Sequence, residues 1–238
     1  MKEFILKFIL DSDFDAAVAW RFYRRPRHGG VDFWLTRAIV LHDSLRYLGN
    51  RKQPKKFLDS YVNNLYQEHV QDFTRRQLSI VRLFQSKKPS FLKVIKKIFP
   101  SDFWLQGRYC AYLSVFDFGA RFLKDKSFQL FMYQSDRQTL FNIFHELLHF
   151  IFYDYAQTKH PQLFKGKSTE EGILWDLAEL FNSVMHDTQD FIRLHGRVVW
   201  PVYPSHRCYI EMAKKSWQKY QNIDDWVKST FDYLQKKS

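Results

Sequence analysis

Apolar positions recur along this chain mostly at helical spacing, and strand-like character is confined to its start and to one central stretch. Lys2 to Leu10 is rich in β-compatible residues and predicts a strand. Asp13 to Arg24 predicts a helix whose acidic first turn and basic end suit the helix dipole. The run Arg25-Pro26-Arg27-His28-Gly29-Gly30 breaks it. A second helix is expected over Phe33 to Leu48, closed by Gly49-Asn50. Phe57, Tyr61, Leu65, His69 and Phe73 follow at intervals of four and predict one long helix reaching about Phe84. Pro89 to Pro100 encloses a short basic amphipathic helix, with Phe91, Leu92, Ile95, Ile98 and Phe99 opposed to Lys93, Lys96 and Lys97. From Gln106 the period changes. Arg108 to Phe116 and Ser127 to Tyr133 read as strands joined by a hairpin-like connection at Gly119 to Lys126, so the expected sheet is small and antiparallel. Helices over 189–195, 205–220 and 224–236 then surround an extended stretch, Arg197 to Pro204. The resulting fold class is α+β and mostly helical.

One helix departs from the amphipathic rule. Wound at about 100° per residue, Leu140 to Tyr153 carries large apolar side chains around most of its circumference. Its polar residues, Asn142, His145, Glu146 and His149, gather in one narrow stripe that ends at Tyr153. A helix apolar nearly all round is a buried helix, and ionisable groups in its only polar stripe need a buried partner. His145-Glu146-Leu147-Leu148-His149 is an H-E-x-x-H pentad, which sets two imidazoles one helical turn apart beside a carboxylate. A divalent metal, above all Zn²⁺, suits that donor set. His145 and His149 are thus the expected metal ligands, and Glu146 the expected general base.

A catalytic zinc takes a third protein ligand. The metzincin continuation would put Gly and His at positions 152 and 155, which are Phe152 and Tyr155 here. The third ligand must come from elsewhere. Ser168-Thr169-Glu170-Glu171 matches a capping box, with Ser168 paired to Glu171, and starts a helix running to about His186. On that helix Glu179 projects opposite the apolar face, thirty residues after His149. Glu179 is the leading candidate and Glu171 the second, followed by Glu170, Asp176 or a later His.

Strand, H-E-x-x-H helix and a Glu on a following helix resemble the core of the gluzincin zinc metallopeptidases, most closely the compact minigluzincins that include ImmA/IrrE-like proteins. The resemblance spans about Phe128 to His186 and rests on His145, Glu146, His149 and, less closely, Glu179 within Trp175-Asp176-Leu177-Ala178-Glu179-Leu180-Phe181-Asn182. It implies a zincin-like fold, with the sheet packed on the active-site helix and on a second, Glu-bearing helix. It also implies Zn²⁺ as cofactor and hydrolysis of peptide bonds in a peptide or protein substrate. The strand Phe128 to Tyr133 could pair with an extended substrate backbone, and His186, His195, Tyr203 and His206 are candidates for stabilising an oxyanion.

Composition adds limits. The 238 residues are 45% hydrophobic and 18% aromatic, with 8 Gly and 7 Pro, which supplies ample core and argues against long loops. No apolar run is long enough to span a bilayer, no signal-peptide pattern opens the chain, and Cys110 and Cys208 form no recognisable framework. A cytoplasmic protein is expected. Of the net charge of +12, +9 falls between Arg51 and Pro100. That region is the expected contact for nucleic acid or another anionic surface. Residues 1–105 read as a basic, largely helical N-terminal region and 106–238 as the metallopeptidase core with its C-terminal helices. The competing expectation is a basic nucleic-acid-binding or regulatory protein that keeps a zincin scaffold.

Overall fold

The computed structural model describes residues 3–199 and 202–236. The chain is α+β, 64% helical, with a small mixed sheet. Two compact units divide it: Met1–Gln85 with Gly107–Asn142, and Ser86–Gln106 with Ile143–Ser238. Residues from before position 106 therefore enter both.

In the first unit, β1 (Phe4–Leu10) buries Phe4, Leu6 and Phe8 on alternate positions and leaves Lys7 exposed. It pairs in parallel with β4 (Gly107–Ser114), from Phe4 opposite Gly107 to Leu10 opposite Leu113. β4 in turn pairs in parallel with β6 (Ser127–Phe131). Only β5 (Arg121–Phe122) is antiparallel, against Phe128 and Ser127, and the order is β1-β4-β6-β5. The expected antiparallel sheet is thus corrected to a mostly parallel one. Residues 115–126 are long enough for a crossover, and they return along the far side of β6 as β5 before β6 begins. Alternating burial looks the same in either strand direction, so the pattern alone carried no sign of this. β6 has β4 on one side along its length and β5 on the other over Ser127 and Phe128.

Helix α1 (Ser12–Arg24) starts at Asp11, whose carboxylate accepts from the Phe14 amide at 2.9 Å. A short hairpin follows, β2 (Arg27–His28) with β3 (Val31–Asp32), turning at Gly29-Gly30. The single helix expected over 33–48 is broken into a π-helical turn at Trp34–Ala38, the short α2 (Ile39–Leu41) and 3₁₀ turns at Asp43–Leu45 and Leu48–Asn50. His42 causes the break: its ring nitrogens meet the Tyr61 hydroxyl and the Val115 carbonyl, each at 3.0 Å, and its backbone leaves the helical region. The long helix expected from Phe57 is two, α3 (Pro54–Glu68) and α4 (Val70–Ile98), parted at His69. The i, i+4 apolar spacing crosses that junction unbroken, which is why it is invisible in the pattern. α4 then continues past Phe84 and through Pro89, where a separate short helix was expected to begin. Pro89 removes one helical hydrogen bond, and fully buried Phe84 and Phe91 on either side hold the helix through it.

Arg76 on α4 fixes the entry to the next helix. Its guanidinium donates to the Met132 carbonyl (3.1 Å), the Gln134 carbonyl (2.8 Å), Thr139 Oγ1 (2.9 Å) and Asp136 Oδ1 (2.7 Å). Helix α5 (Asp136–Lys159) begins there, with Ser135 Oγ accepting from the Gln138 amide.

In the second unit, Phe91 stacks on Phe144 at 4.5 Å. The short α6 (Pro161–Phe164) precedes α7 (Ile173–His186), α8 (Gln189–His195), α9 (Ile210–Tyr220) and α10 (Ile223–Gln235). Phe152 stacks on Phe181 in its core, Trp226 meets both rings edge-on, and the Trp226 indole donates to the Ala213 carbonyl at 2.9 Å. The expected capping box does not form. Ser168 Oγ accepts from the Glu170 amide in a local turn, and Gly172, at φ +74°, places the helix start at Ile173. α9 starts later than expected because a 3₁₀ turn, Pro204–His206, takes its first residues. Arg197 to Val199 has no regular structure, and Trp200-Pro201 of the expected extended stretch lie outside the described residues.

Candidate metal centre

Along α5 every residue from Leu140 to Tyr153 except Asn142 is buried. The i, i+4 spacing therefore brings His145 and His149 together inside the protein, with their Nε2 atoms 3.0 Å apart. Glu179 of α7 completes the group: its Oε1 lies 3.2 Å from His149 Nε2 and its Oε2 3.7 Å from His145 Nε2. All three residues are buried, and one ligand-type atom from each lies within 4.8 Å of the others. Glu146, beside His145, is also buried.

These separations can be tested against a metal. Tetrahedral ligands at 2.0–2.1 Å from zinc stand about 3.3–3.4 Å from one another. The imidazole nitrogens are 3.0 Å apart, and the two Glu179 oxygens lie 3.2 Å from His149 and 3.7 Å from His145, all near that length. Protons serve the cluster less well. A hydrogen on His149 Nε2 serves one neighbour at a time, His145 Nε2 at 3.0 Å or Glu179 Oε1 at 3.2 Å. A divalent cation held by these three residues would offset the burial of the carboxylate. The donor set fits such an ion.

The other sequence candidates separate clearly. Glu170 and Glu171 are exposed ahead of α7. Asp176 binds His206 Nε2 at 2.7 Å. Tyr203 packs edge-on to Trp175 at 5.1 Å.

His186 and His195 form an arrangement that sequence reasoning named only as unranked candidates. His195 Nδ1 lies 2.5 Å from the Gly196 carbonyl, which can only accept, so the proton sits on Nδ1. His195 Nε2 is then the acceptor for His186 Nδ1 at 2.9 Å. A neutral His186 consequently carries its lone pair on Nε2, and its ring stacks on His145 with centroids 5.8 Å apart. Burial, then the neighbouring imidazoles His145, His195 and His149, hold the His186 pKa well below the ordinary histidine range. In this form it accepts a hydrogen bond at Nε2 and does not donate one to an oxyanion. The only trace in the sequence is spacing: His186 is seven residues after Glu179, on the same helical face. Tyr153 backs His149, its ring stacked 5.6 Å from that imidazole and its hydroxyl donating to the Thr169 carbonyl at 3.0 Å.

Comparison with known proteins adds nothing to this geometry: no family model matches the chain, and no curated protein or solved structure does.

Proposed function

We propose that this protein is a zinc-dependent metallopeptidase. The observation that carries the reading is the convergence of His145, His149 and Glu179 on one buried point, with Glu146 next to it in the H-E-x-x-H pentad. His145, His149 and Glu179 would hold the ion. Zinc at such a site supplies Lewis acidity and brings the pKa of water toward neutrality. Glu146 takes the proton of the attacking water and delivers it to the leaving amine. The neutral, tautomer-fixed His186 offers a hydrogen-bond acceptor beside His145. Among the described residues no helix is long and apolar enough to cross a membrane.

Metal analysis and one substitution test the reading together. Purified protein should carry about one equivalent of zinc, and Glu146→Gln should keep that metal while hydrolysis of an unstructured substrate such as casein falls by about 10³-fold or more. Protein that binds no zinc, or a Glu146→Gln variant that hydrolyses at the wild-type rate, overturns it.

A further inference from the structure

Among the described residues nine large apolar side chains are exposed, and four of them fall within residues 35–47. These are Leu35 (59% exposed), Val40 (72%), Leu41 (47%) and Tyr47 (64%). Single exposed apolar residues are ordinary, whereas a concentration of them marks a contact surface. The local structure explains why they point outward. The helical segment Trp34–Leu41 buries Trp34, Ala38 and Ile39 on its inner side. Its outer side is Leu35, Thr36, Val40 and Leu41, so apolar groups occupy positions where a surface helix usually carries charge.

Cations are frequent in the same stretch of chain, and of these Arg27, Arg37, Arg46 and Lys55 are paired with Asp32, Asp117, Asp43 and Asp59. Between Arg24 and Lys56 there are nine Lys or Arg against Asp32 and Asp43. Four residues after Tyr47, a shallow concavity of about 400 Å³ opens, lined by Arg51, Lys52, Gln53, Lys56, Phe57 and Ser60. The Arg51 guanidinium sits over the Phe57 ring, 4.3 Å from its centroid, which holds one cation at its wall.

We propose that residues 35–56 form a docking surface for an anionic lipid bilayer. Leu35, Val40, Leu41 and Tyr47 enter the headgroup region, and Arg51, Lys52 and Lys56 hold lipid phosphates. Charge complementarity and side-chain type select this occupant. Aliphatic Leu and Val gain nothing from stacking on bases, so a nucleic acid would use the cations and leave the strip in water. A second copy of the chain would bring one cationic rim against another. A bilayer with anionic headgroups satisfies both halves, apolar insertion and phosphate contact, without a spanning helix.

Co-sedimentation of the full chain with vesicles tests this. Binding to phosphatidylcholine vesicles containing 30% phosphatidylglycerol should be at least about tenfold tighter than to phosphatidylcholine alone, and should weaken by a similar factor between 0.1 and 0.5 M NaCl. Leu35→Asp with Val40→Asp should weaken binding to the anionic vesicles about tenfold or more. Both positions are solvent-facing, so circular dichroism and zinc content should stay unchanged. Lys52→Ala with Lys56→Ala should reduce the preference for anionic vesicles and the salt dependence. Three results overturn the proposal: equal binding to both vesicle types, anionic binding that the Asp pair leaves intact, or a concentration-dependent dimer that the Asp pair abolishes in protein that binds no vesicles. The last would assign the strip to a second copy.

Discussion

His186 donates its Nδ1 hydrogen to His195 Nε2 across 2.9 Å, and His195 passes its own to the Gly196 carbonyl at 2.5 Å. A helix C-terminus closed by a glycine at φ +81° thus fixes the tautomer of a histidine stacked on a predicted metal ligand. Long-range ¹⁵N–¹H spectra at pH 7 should place the proton on Nδ1 in both rings. His195→Ala should release His186, whose Nε2 and Nδ1 resonances then move toward the values of a mixed tautomer. A His186 proton on Nε2 in the wild type would contradict the chain of hydrogen bonds.

The third ligand is a point of discrimination between two glutamates. Glu179 lies 3.2 Å from His149 Nε2, whereas Glu171 is exposed before α7 begins. Glu179→Gln should lower zinc affinity by about two orders of magnitude, and Glu171→Gln should leave it unchanged. Competition with a chromogenic chelator measures both.

On the proposed reading, removing the metal should also loosen the fold, because the ion would bind only the native cluster. At about 1,000-fold saturation the linkage is worth about 4 kcal/mol, or about 10 °C in Tm for a chain of this length. Differential scanning calorimetry with and without EDTA checks it. The difference should vanish in His149→Ala.

A buried carboxylate in the other unit makes stability pH-dependent in the opposite sense to a surface acid. Asp15 is 1% exposed, and accepts from Ser114 Oγ (2.5 Å), the Val115 amide (3.0 Å), Gln129 Nε2 (2.7 Å) and the Tyr66 hydroxyl (3.0 Å). Burial outweighs these donors and raises its pKa from 3.8 to about 6. The folded state therefore holds the proton more tightly than the unfolded one. The contribution of Asp15 is fully present below pH 3.8 and is lost as pH rises through about 6. It amounts to about 3 kcal/mol at most. Urea unfolding from pH 4 to 7 should show the wild type losing stability relative to Asp15→Asn by up to that amount as pH rises. Parallel curves for the two proteins would contradict it.

Arg76 joins α4 to the turn that starts α5 through four acceptors, at 2.7 to 3.1 Å. Arg76→Met keeps the aliphatic stem and strands the two backbone carbonyls, so stability should fall by about 2–3 kcal/mol. Arg76→Lys should recover less than half, since an ammonium cannot form the fork. Amide exchange in residues 134–140 should accelerate in both variants.

Much of the helical framework could be read from periodicity. The span of α8, and the starts and ends of α1 and α10 to within a residue or two, follow from local caps and apolar spacing. Interruptions that depend on distant partners could not be read. His42 leaves its helix because Tyr61 and the Val115 carbonyl take its ring nitrogens, and neither is near it in sequence. Pro89 misled in the other direction, since a helix held on both sides absorbs one missing hydrogen bond. At the site, His145, Glu146 and His149 were legible because all belong to one helix. Glu179 was one acidic candidate among several.

The sequence by itself determined that α5 is buried and that its only polar stripe holds two imidazoles and a carboxylate, since those follow from 3.6-residue periodicity alone. Tertiary structure decided the rest. It made the sheet mostly parallel, set Glu179 rather than Glu171 beside the two imidazoles, and fixed which His186 nitrogen donates. Strand direction, the meeting of two helices and the tautomer of a ring are all set by partners remote in the chain, and a local pattern carries no record of them.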